Sequence, residues 1–478
     1  MASTSISAPV APQTQQPPVR VPEGQEAAIR GVPDSEERSV VYRDYLVSQG
    51  VQPKIGLDVA ENVLLYDLFK SDIFPRLAEL TEPDIRYATP AGRPELMDRL
   101  AARLSVSFGA EIEGRHVFGT AGVSSALECI AAALREYGVL APNDTVMLPA
   151  PFWQGFRWSF EQRPDLRCVP SHLEAAGPEN FRLTVDDLET TYRNTSPRPK
   201  MLVLTNPHNP LGVNYPEDLL ESVVQWALDK GMHVISDEMY RHSQITGTRP
   251  EFVSALRLEA TRAHPERVHV VWGLAKDFGL SGFRTGFIVS RSPYVRKVMT
   301  GVDEPGHKLR SLAWFSPFDS LRQFLVERLL DASAPGGRPF WDTAMETYRP
   351  RLTESFEAVA RVLDDFGVPY VRSGGDRFNP AQFFWLDLRS YLPTGPIPAQ
   401  VRGGEDGFAL YLGAPGGSAT PEQQLAQRIA DQANVLLLPG QVLSCKWQGY
   451  FRLCYTAYHK DRVVDAVRRM CEILPAGR

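Results

Sequence analysis

Trp272-Gly-Leu-Ala-Lys276-Asp-Phe-Gly-Leu-Ser-Gly-Phe-Arg284-Thr-Gly286 is the stretch of this chain whose reading decides the fold. It follows an apolar, strand-like run from Val268 to Trp272, so Lys276 stands just past the end of a strand, among glycines, with Arg284 further along the same loop. A lysine so placed suits an aldehyde cofactor. Its amine forms a Schiff base with pyridoxal phosphate, and the arginine meets the phosphate. Alone, a lysine among glycines reads equally well as a surface-loop residue, and two further segments decide between the readings.

The first is Thr205-Asn-Pro-His-Asn-Pro-Leu-Gly212, after the apolar run Met201 to Leu204. The second is Val234-Ile-Ser-Asp-Glu-Met-Tyr240, a short apolar run that ends in a carboxylate and a phenol. Runs that each deliver polar groups at their C-terminal ends predict a parallel α/β sheet with a site along one edge. The chemistry fits one cofactor. A buried Asp237 would keep a pyridine nitrogen protonated and make the ring an electron sink. Asn209 and Tyr240 are placed to hydrogen-bond a ring oxygen.

In this order the three segments resemble the fold-type I pyridoxal-phosphate enzymes of the aminotransferase class I/II family, over about residue 55 to the C-terminus. The resemblance implies that Lys276 carries the cofactor, Asp237 partners the pyridine nitrogen, Asn209 and Tyr240 bind the ring oxygen, and Arg284 binds the phosphate. It implies an α/β fold: a large domain at about 90–340 with a mainly parallel seven-stranded sheet, and a smaller α+β domain from 39–89 and 341–478. It also implies a homodimer with shared sites.

Other segments take roles from the same resemblance. Phe118-Gly-Thr-Ala-Gly-Val-Ser124-Ser125-Ala-Leu-Glu128 opens an amphipathic helix, whose N-terminus and hydroxyls suit a phosphate, although the same residues read as a plain cap. In Pro149-Ala-Pro-Phe-Trp153-Gln-Gly-Phe156 the family places an aromatic on the pyridine ring, and Trp153 aligns better than Phe152. Arg452, the charged residue of the strand-like run around Tyr450 to Tyr455, matches the arginine that grips the substrate carboxylate; an internal salt bridge is the alternative.

Four segments narrow the resemblance to 1-aminocyclopropane-1-carboxylate (ACC) synthases: Ala60-Glu-Asn-Val-Leu, Lys276-Asp-Phe-Gly-Leu-Ser-Gly-Phe-Arg, Phe384-Trp-Leu-Asp-Leu-Arg389 and Phe451-Arg-Leu-Cys-Tyr455. The implied substrate is S-adenosylmethionine (SAM), with Glu61 near its cationic region and Tyr87 donated across the dimer interface to the partner's cofactor. The expected reaction expels methylthioadenosine, either by ring closure or by γ-substitution with a second substrate in specialised metabolism. An aminotransferase of a large or aromatic amino acid is the alternative.

The chain also departs from the family pattern. Gly273 and Ala275 replace small hydroxyl residues before the lysine; either Ser124 and Ser125 compensate at the phosphate, or the pocket is opened for something larger. His208 and Arg241 are unusual beside the motif residues and are either surface positions or part of a widened site.

Bulk properties agree with such an enzyme. At 478 residues the chain accommodates two domains, and 43% hydrophobic with 23% charged residues is ordinary for a globular protein. A net charge of −6 argues against nucleic-acid or anionic-membrane partners, and no apolar run is long enough to cross a membrane. Five cysteines without a Cys-x-x-Cys indicate neither a disulfide framework nor a metal site, and a cytoplasmic location is expected. Residues 1–38, rich in Ala, Ser, Thr, Pro and Gln, are expected to be disordered, and Arg389 to Gly417 to be a long loop. A regulator borrowing the fold would need an N-terminal winged helix, for which the Pro-rich first 50 residues are too short.

Overall fold

The computed structural model describes residues 54–173, 181–301, 317–331, 337–373, 379–393 and 420–474. The expected disordered extension at 1–38 lies outside the described residues, as does the Gly/Pro-rich stretch beyond 393.

Strands are β1 (Ile55–Gly56), β2 (Val117–Thr120), β3 (Thr145–Ala150), β4 (Arg167–His172), β5 (Met201–Thr205) and β6 (His233–Asp237). They continue with β7 (Val268–Gly273), β8 (Gly286–Ser290), β9 (Phe383–Asp387), β10 (Val435–Leu436), β11 (Leu438–Pro439) and β12 (Tyr450–Cys454). Seven form one sheet in the order β2-β8-β7-β6-β5-β3-β4. Neighbours are parallel from β7 through to β4, and β8 runs antiparallel to both β7 and β2. This is the mainly parallel seven-stranded sheet expected. Its central strands are apolar along their whole length because helices cover both faces: every residue of β5, β6 and β7 is buried.

Parallel strands bring their C-terminal ends to one edge. Thr205, Asp237 and Gly273 end β5, β6 and β7 there. Helix Val123–Glu136 follows β2 and packs Ala126, Leu127, Ile130 and Leu134 against the sheet, the face its spacing predicts. Its N-terminus stands beside β8, since a Cβ on Gly286 would lie 2.7 Å from the Val123 nitrogen.

The smaller sheet is antiparallel, in the order β11-β12-β9, with Arg452 opposite Trp385. Helices Phe340–Asp365 and Lys460–Ile473 accompany it, and helix Pro421–Gln432 begins at a Thr420 cap with a reciprocal Gln423 bond. β1 pairs in parallel with β10. The segment after β1 then bridges the two sheets. Leu57 O accepts from Cys454 N of β12 at 2.8 Å, and the Asn62 side chain donates to Lys276 O at 2.8 Å. Among the described residues no helix is long and apolar enough to cross a membrane, and no group of three or more acidic, His or Cys residues is placed to hold a metal. All five cysteines are buried thiols.

Candidate active site

Lys276 lies in the short helical turn Leu274–Asp277 directly after β7. Its Nζ donates to Ala60 O at 2.6 Å, so a backbone carbonyl, not a carboxylate, holds the amine. Burial pushes its pKa down; the charge of Glu61 opposes that shift, and Arg452 and Arg284 reinforce it. A lysine moved toward neutrality is a better nucleophile and base than a solvated one.

Asp237 ends β6 and is buried. Met239 N–H donates to its Oδ1 at 3.2 Å. Burial raises its pKa to about 7, with the Met239 bond and the Lys276 charge pulling the other way. A carboxyl in that state is ready for a cationic partner that compensates its desolvation.

Arg452 is only 3% exposed in the middle of β12. Its Nη1 donates to Asn209 Oδ1 at 2.8 Å, its Nη2 to Asp58 O at 2.6 Å, and its guanidinium lies 4.6 Å from the Phe383 ring centre. Nε is buried and has no hydrogen-bond partner. No carboxylate oxygen among the described residues lies within 4.0 Å of this arginine, although the charge of Asp58 acts on it. A buried guanidinium with a spare N–H is costly unless a ligand anion completes it. Accepting from Arg452 also fixes the Asn209 amide, leaving its N–H2 group for a ligand oxygen. Tyr240, buried on Phe383 with ring centres 5.1 Å apart, has its phenol held well above the usual range by burial, and the Arg452 charge opposes this.

Arg284 adopts a left-handed backbone, φ 49°. For a bulky residue that conformation is strained and needs a local reason. Gly122, at φ 96°, precedes the helix N-terminus, and a Cβ there would lie 2.7 Å from Arg284 Nη2. The glycine therefore lets the guanidinium sit against the open end of helix Val123–Glu136, where unpaired N–H groups and the dipole favour an anion. Ser124 and Ser125 occupy the first turn, half-buried, and Ser125 Oγ donates to Ala121 O at 3.3 Å.

Trp153 lies just past β3, half-buried across Gly155 and edge-on to Phe156 at 5.5 Å. Phe152, the rejected candidate, is fully buried, and its N–H donates to Leu443 O at 2.8 Å. Glu61 is half-buried, and its backbone O accepts from Thr456 Oγ1 at 2.6 Å. Tyr87 stands apart from this cluster at 97% exposure.

Three expectations need correcting. Gly273 does not open a pocket: a Cβ there would meet Thr285 O at 2.5 Å, because β7 and β8 pair tightly at Gly273 and Gly286. A serine hydroxyl is missing here because its carbon has no room. His208 is neither at the surface nor in a widened site. It is buried, accepts from Leu211 N–H at 3.3 Å, stacks edge-on with Tyr215, and burial lowers its pKa to about 3. Arg241 points away too, its Nε donating to Ser107 O at 2.5 Å and its guanidinium covering the Phe252 ring.

Sequence reasoning missed the support beneath the lysine. Asp277 is fully buried and accepts from Ser243 Oγ at 2.7 Å, His242 N–H at 3.0 Å and Trp272 Nε1 at 3.1 Å. Gln382 Nε2 donates to Lys276 O at 2.9 Å and to Tyr348 Oη at 2.8 Å. The Lys-Asp pair was in view, but nothing local showed that the carboxylate turns inward to Ser243.

Lys276, Asp237 and Arg452 thus gather where the end of the large sheet meets the small sheet, with Arg284 beside the start of helix Val123–Glu136. The comparisons define the class, a pyridoxal-phosphate-dependent enzyme. Residues 54–470 match the family model described as aminotransferase class I and II, and the chain belongs to that family.

Among curated relatives, 1-aminocyclopropane-1-carboxylate synthase 1 of Oryza sativa subsp. indica is 27% identical over 79% of this chain and 70% of its own length. 1-Aminocyclopropane-1-carboxylate synthase CMA101 of Cucurbita maxima is also 27% identical, over 87% of this chain and 81% of its own. A mouse protein described as a probable inactive 1-aminocyclopropane-1-carboxylate synthase-like protein 2 matches at 27% over 88% of this chain, which spans 66% of that protein. Among solved structures, a Thermus thermophilus aspartate aminotransferase double mutant has a TM-score of 0.66 at 23% identity, covering 91% of this chain and 95% of its own. At that identity the likeness establishes the fold.

The residues present fit pyridoxal phosphate. Asp237 meets the requirement for a buried partner to a ring N–H, the Arg284 and Gly122 arrangement meets that for a phosphate, and the orphaned Arg452 Nε meets that for a bound carboxylate.

Proposed function

We propose that this enzyme acts on S-adenosylmethionine and expels methylthioadenosine. The departure is followed either by α,γ ring closure or by γ-substitution with a second substrate, forming a carbon–carbon bond in specialised metabolism. Pyridoxal phosphate supplies an electron sink for the α-carbon of an amino acid bound to it. The roles of the protein's own groups follow from their surroundings. Lys276 holds the cofactor and, once free, takes the α-proton with an amine whose pKa burial has lowered. Asp237 keeps the ring N–H in place, and Asn209 and Tyr240 orient the ring oxygen. Arg284, with Ser124 and Ser125 at the helix end, anchors the phosphate, and Trp153 covers the ring face. Arg452 grips the substrate carboxylate and sets the α-carbon against Lys276.

The observation that carries the choice of substrate is Glu61. Its charge acts on Lys276, and it also lines a cavity of about 370 Å³ walled by Tyr66, Phe69, Phe74, Phe283 and Tyr458. Aromatic rings around one carboxylate suit a large organic cation such as a sulfonium. An ordinary amino-acid substrate of an aminotransferase presents no such charge. The ACC synthases among the relatives support the same choice.

We further propose the homodimer with shared sites, residues 90–340 forming the large domain and 39–89 with 341–478 the small one. Exposed Ile85 and Tyr87 flank Arg86, whose O accepts from Ser320 Oγ at 2.6 Å next to exposed Leu321, and together they suit an interface that passes Tyr87 to the partner's cofactor.

The test is mass spectrometry of products after the cofactor-loaded protein meets SAM alone in deuterated buffer. Methylthioadenosine with ACC identifies ring closure. Deuterium entering the SAM α-position, or methylthioadenosine with vinylglycine or its keto-acid breakdown product, identifies the γ-substitution branch. Unchanged SAM, with amino transfer to pyruvate or 2-oxoglutarate from an aromatic amino acid, overturns the reading.

A further inference from the structure

The strands that present Lys276 and Arg284 at one edge of the large sheet frame a second cavity at the other. It measures about 360 Å³ and includes Val268, the first residue of β7, and Val289 and Ser290, the last two of β8. Five residues of extended strand separate Val268 from Gly273, on the order of 16 Å, so this cavity is not part of the site described above.

Its lining divides into two kinds of surface. Ile112, Leu256, Pro265, Val268 and Val289 make an apolar floor. Arg257, Arg262 and Arg291 stand around it, against one lining carboxylate, Glu111. None of the three guanidiniums has a carboxylate oxygen within 4.0 Å among the described residues, although more than half of the other described arginines do. Backbone carbonyls hold two of them instead. Arg262 Nη2 donates to Arg257 O at 2.7 Å, and Arg291 Nη2 donates to Glu111 O at 3.3 Å. Arg257 lies along Gly109, whose Cβ would come within 3.1 Å of its Cδ. All three side chains are exposed, and the bonds they make within the chain leave most of their N–H donors available.

His116 lines the same cavity, and its Nδ1 is buried without a hydrogen-bond partner. Burial lowers its pKa; Glu113 opposes this, and Arg291, Arg115 and Arg296 add to it. A charged imidazole is thus disfavoured there, and the lining sets three guanidiniums against the one carboxylate of Glu111. Unpaired arginines around a hollow select for phosphate or carboxylate oxygens, which they bind in pairs. The apolar floor adds room for a flat, weakly polar body, and the volume suits one small molecule.

We propose that this cavity is a second ligand site that binds an organic phosphate, a phosphate monoester carried on an apolar ring, with Arg257, Arg262 and Arg291 on the phosphate and the Leu256, Val268 and Val289 surface under the ring. The proposal is independent of which substrate the lysine site takes.

Adenosine monophosphate is the probe, titrated by calorimetry into the full-length protein already saturated with pyridoxal phosphate, so that the cofactor's own phosphate position is filled. Binding is expected, weakening about tenfold for each of Arg262→Ala and Arg291→Ala and surviving in Lys276→Ala. Adenosine without the phosphate should bind at least tenfold more weakly, and so should inorganic phosphate without the ring. No binding of adenosine monophosphate overturns the proposal. So does binding that persists in the Arg262→Ala/Arg291→Ala double variant or is displaced by SAM, either of which places the nucleotide in the lysine site. Circular dichroism of the double variant should match that of the parent, since both side chains are exposed and hold only backbone carbonyls.

Discussion

The two ends of strands β6 and β7 bury polar groups in opposite ways. At their N-terminal ends, His233 Nδ1 and His269 Nε2 lie 3.0 Å apart, and His269 Nδ1 lies 2.7 Å from Oγ of Ser290, the last residue of antiparallel β8, which accepts from Ser292 N–H. Burial holds both imidazoles below their usual range, to about 4 for His233, so the chain is neutral and internally satisfied. At the C-terminal ends, Asp237 has one backbone donor and Lys276 rests on a carbonyl, and on β12 of the small sheet Arg452 keeps an unpartnered Nε. A satisfied neutral network holds strands together. Charges buried without counter-ions cost stability and make sense only where a ligand supplies the missing half.

Substitutions at the two ends should therefore fail differently. Lys276→Ala should lower turnover by about 10³-fold or more and remove the cofactor's visible absorption, while thermal unfolding barely changes. Arg452→Ala should reduce kcat/KM by roughly 10- to 100-fold, the worth of a charge-assisted carboxylate clamp, with cofactor absorbance retained. Arg452→Lys should recover only part of it, because a point charge cannot bind in a fork.

Asp237→Asn sharpens the contrast through pH. Without cofactor, the folded protein keeps on Asp237 a proton that the unfolded chain loses above 3.8, up to about 7. Stability of the cofactor-free protein should thus fall as pH rises through that window. The asparagine variant should lose that part of the slope and melt higher than the parent at pH 8, while binding pyridoxal phosphate more weakly. At the other end, His269→Leu should leave kcat/KM unchanged and cost about 1–3 kcal/mol of stability, since it strands His233 and Ser290 without their partner. A loss of activity there, with stability intact, would break the comparison.

Much of this was legible in the sequence because parallel sheets write their site at strand ends. Met201–Leu204, Val234–Ser236 and Val268–Trp272 read as buried strands, and the polar residues immediately after them converge on one edge. The helix after Gly122 was legible from its 3.6-residue spacing. Distances between segments were not. Gly273 looked like added space, yet it reflects the close approach of Gly286, a partner thirteen residues further along the chain. His208 and Arg241 read as surface positions or as lining of a widened site, but His208 is buried against Tyr215 and Arg241 lies over the Phe252 ring. The Asp277, Ser243, Tyr348 and Gln382 network joins residues from four separate segments, and no local pattern announces it. The basic cavity escaped notice for the same reason, its arginines being scattered between 257 and 291 in a chain of net negative charge.

The most direct test of the account fixes the cofactor to the amine that carries it. Borohydride reduction of the pyridoxal-phosphate-loaded protein, followed by peptide mass mapping, should place the added mass on the peptide containing Lys276 and on no other. A label on a different lysine, or none in a protein that still binds the cofactor, would contradict the assignment on which the rest of the site depends.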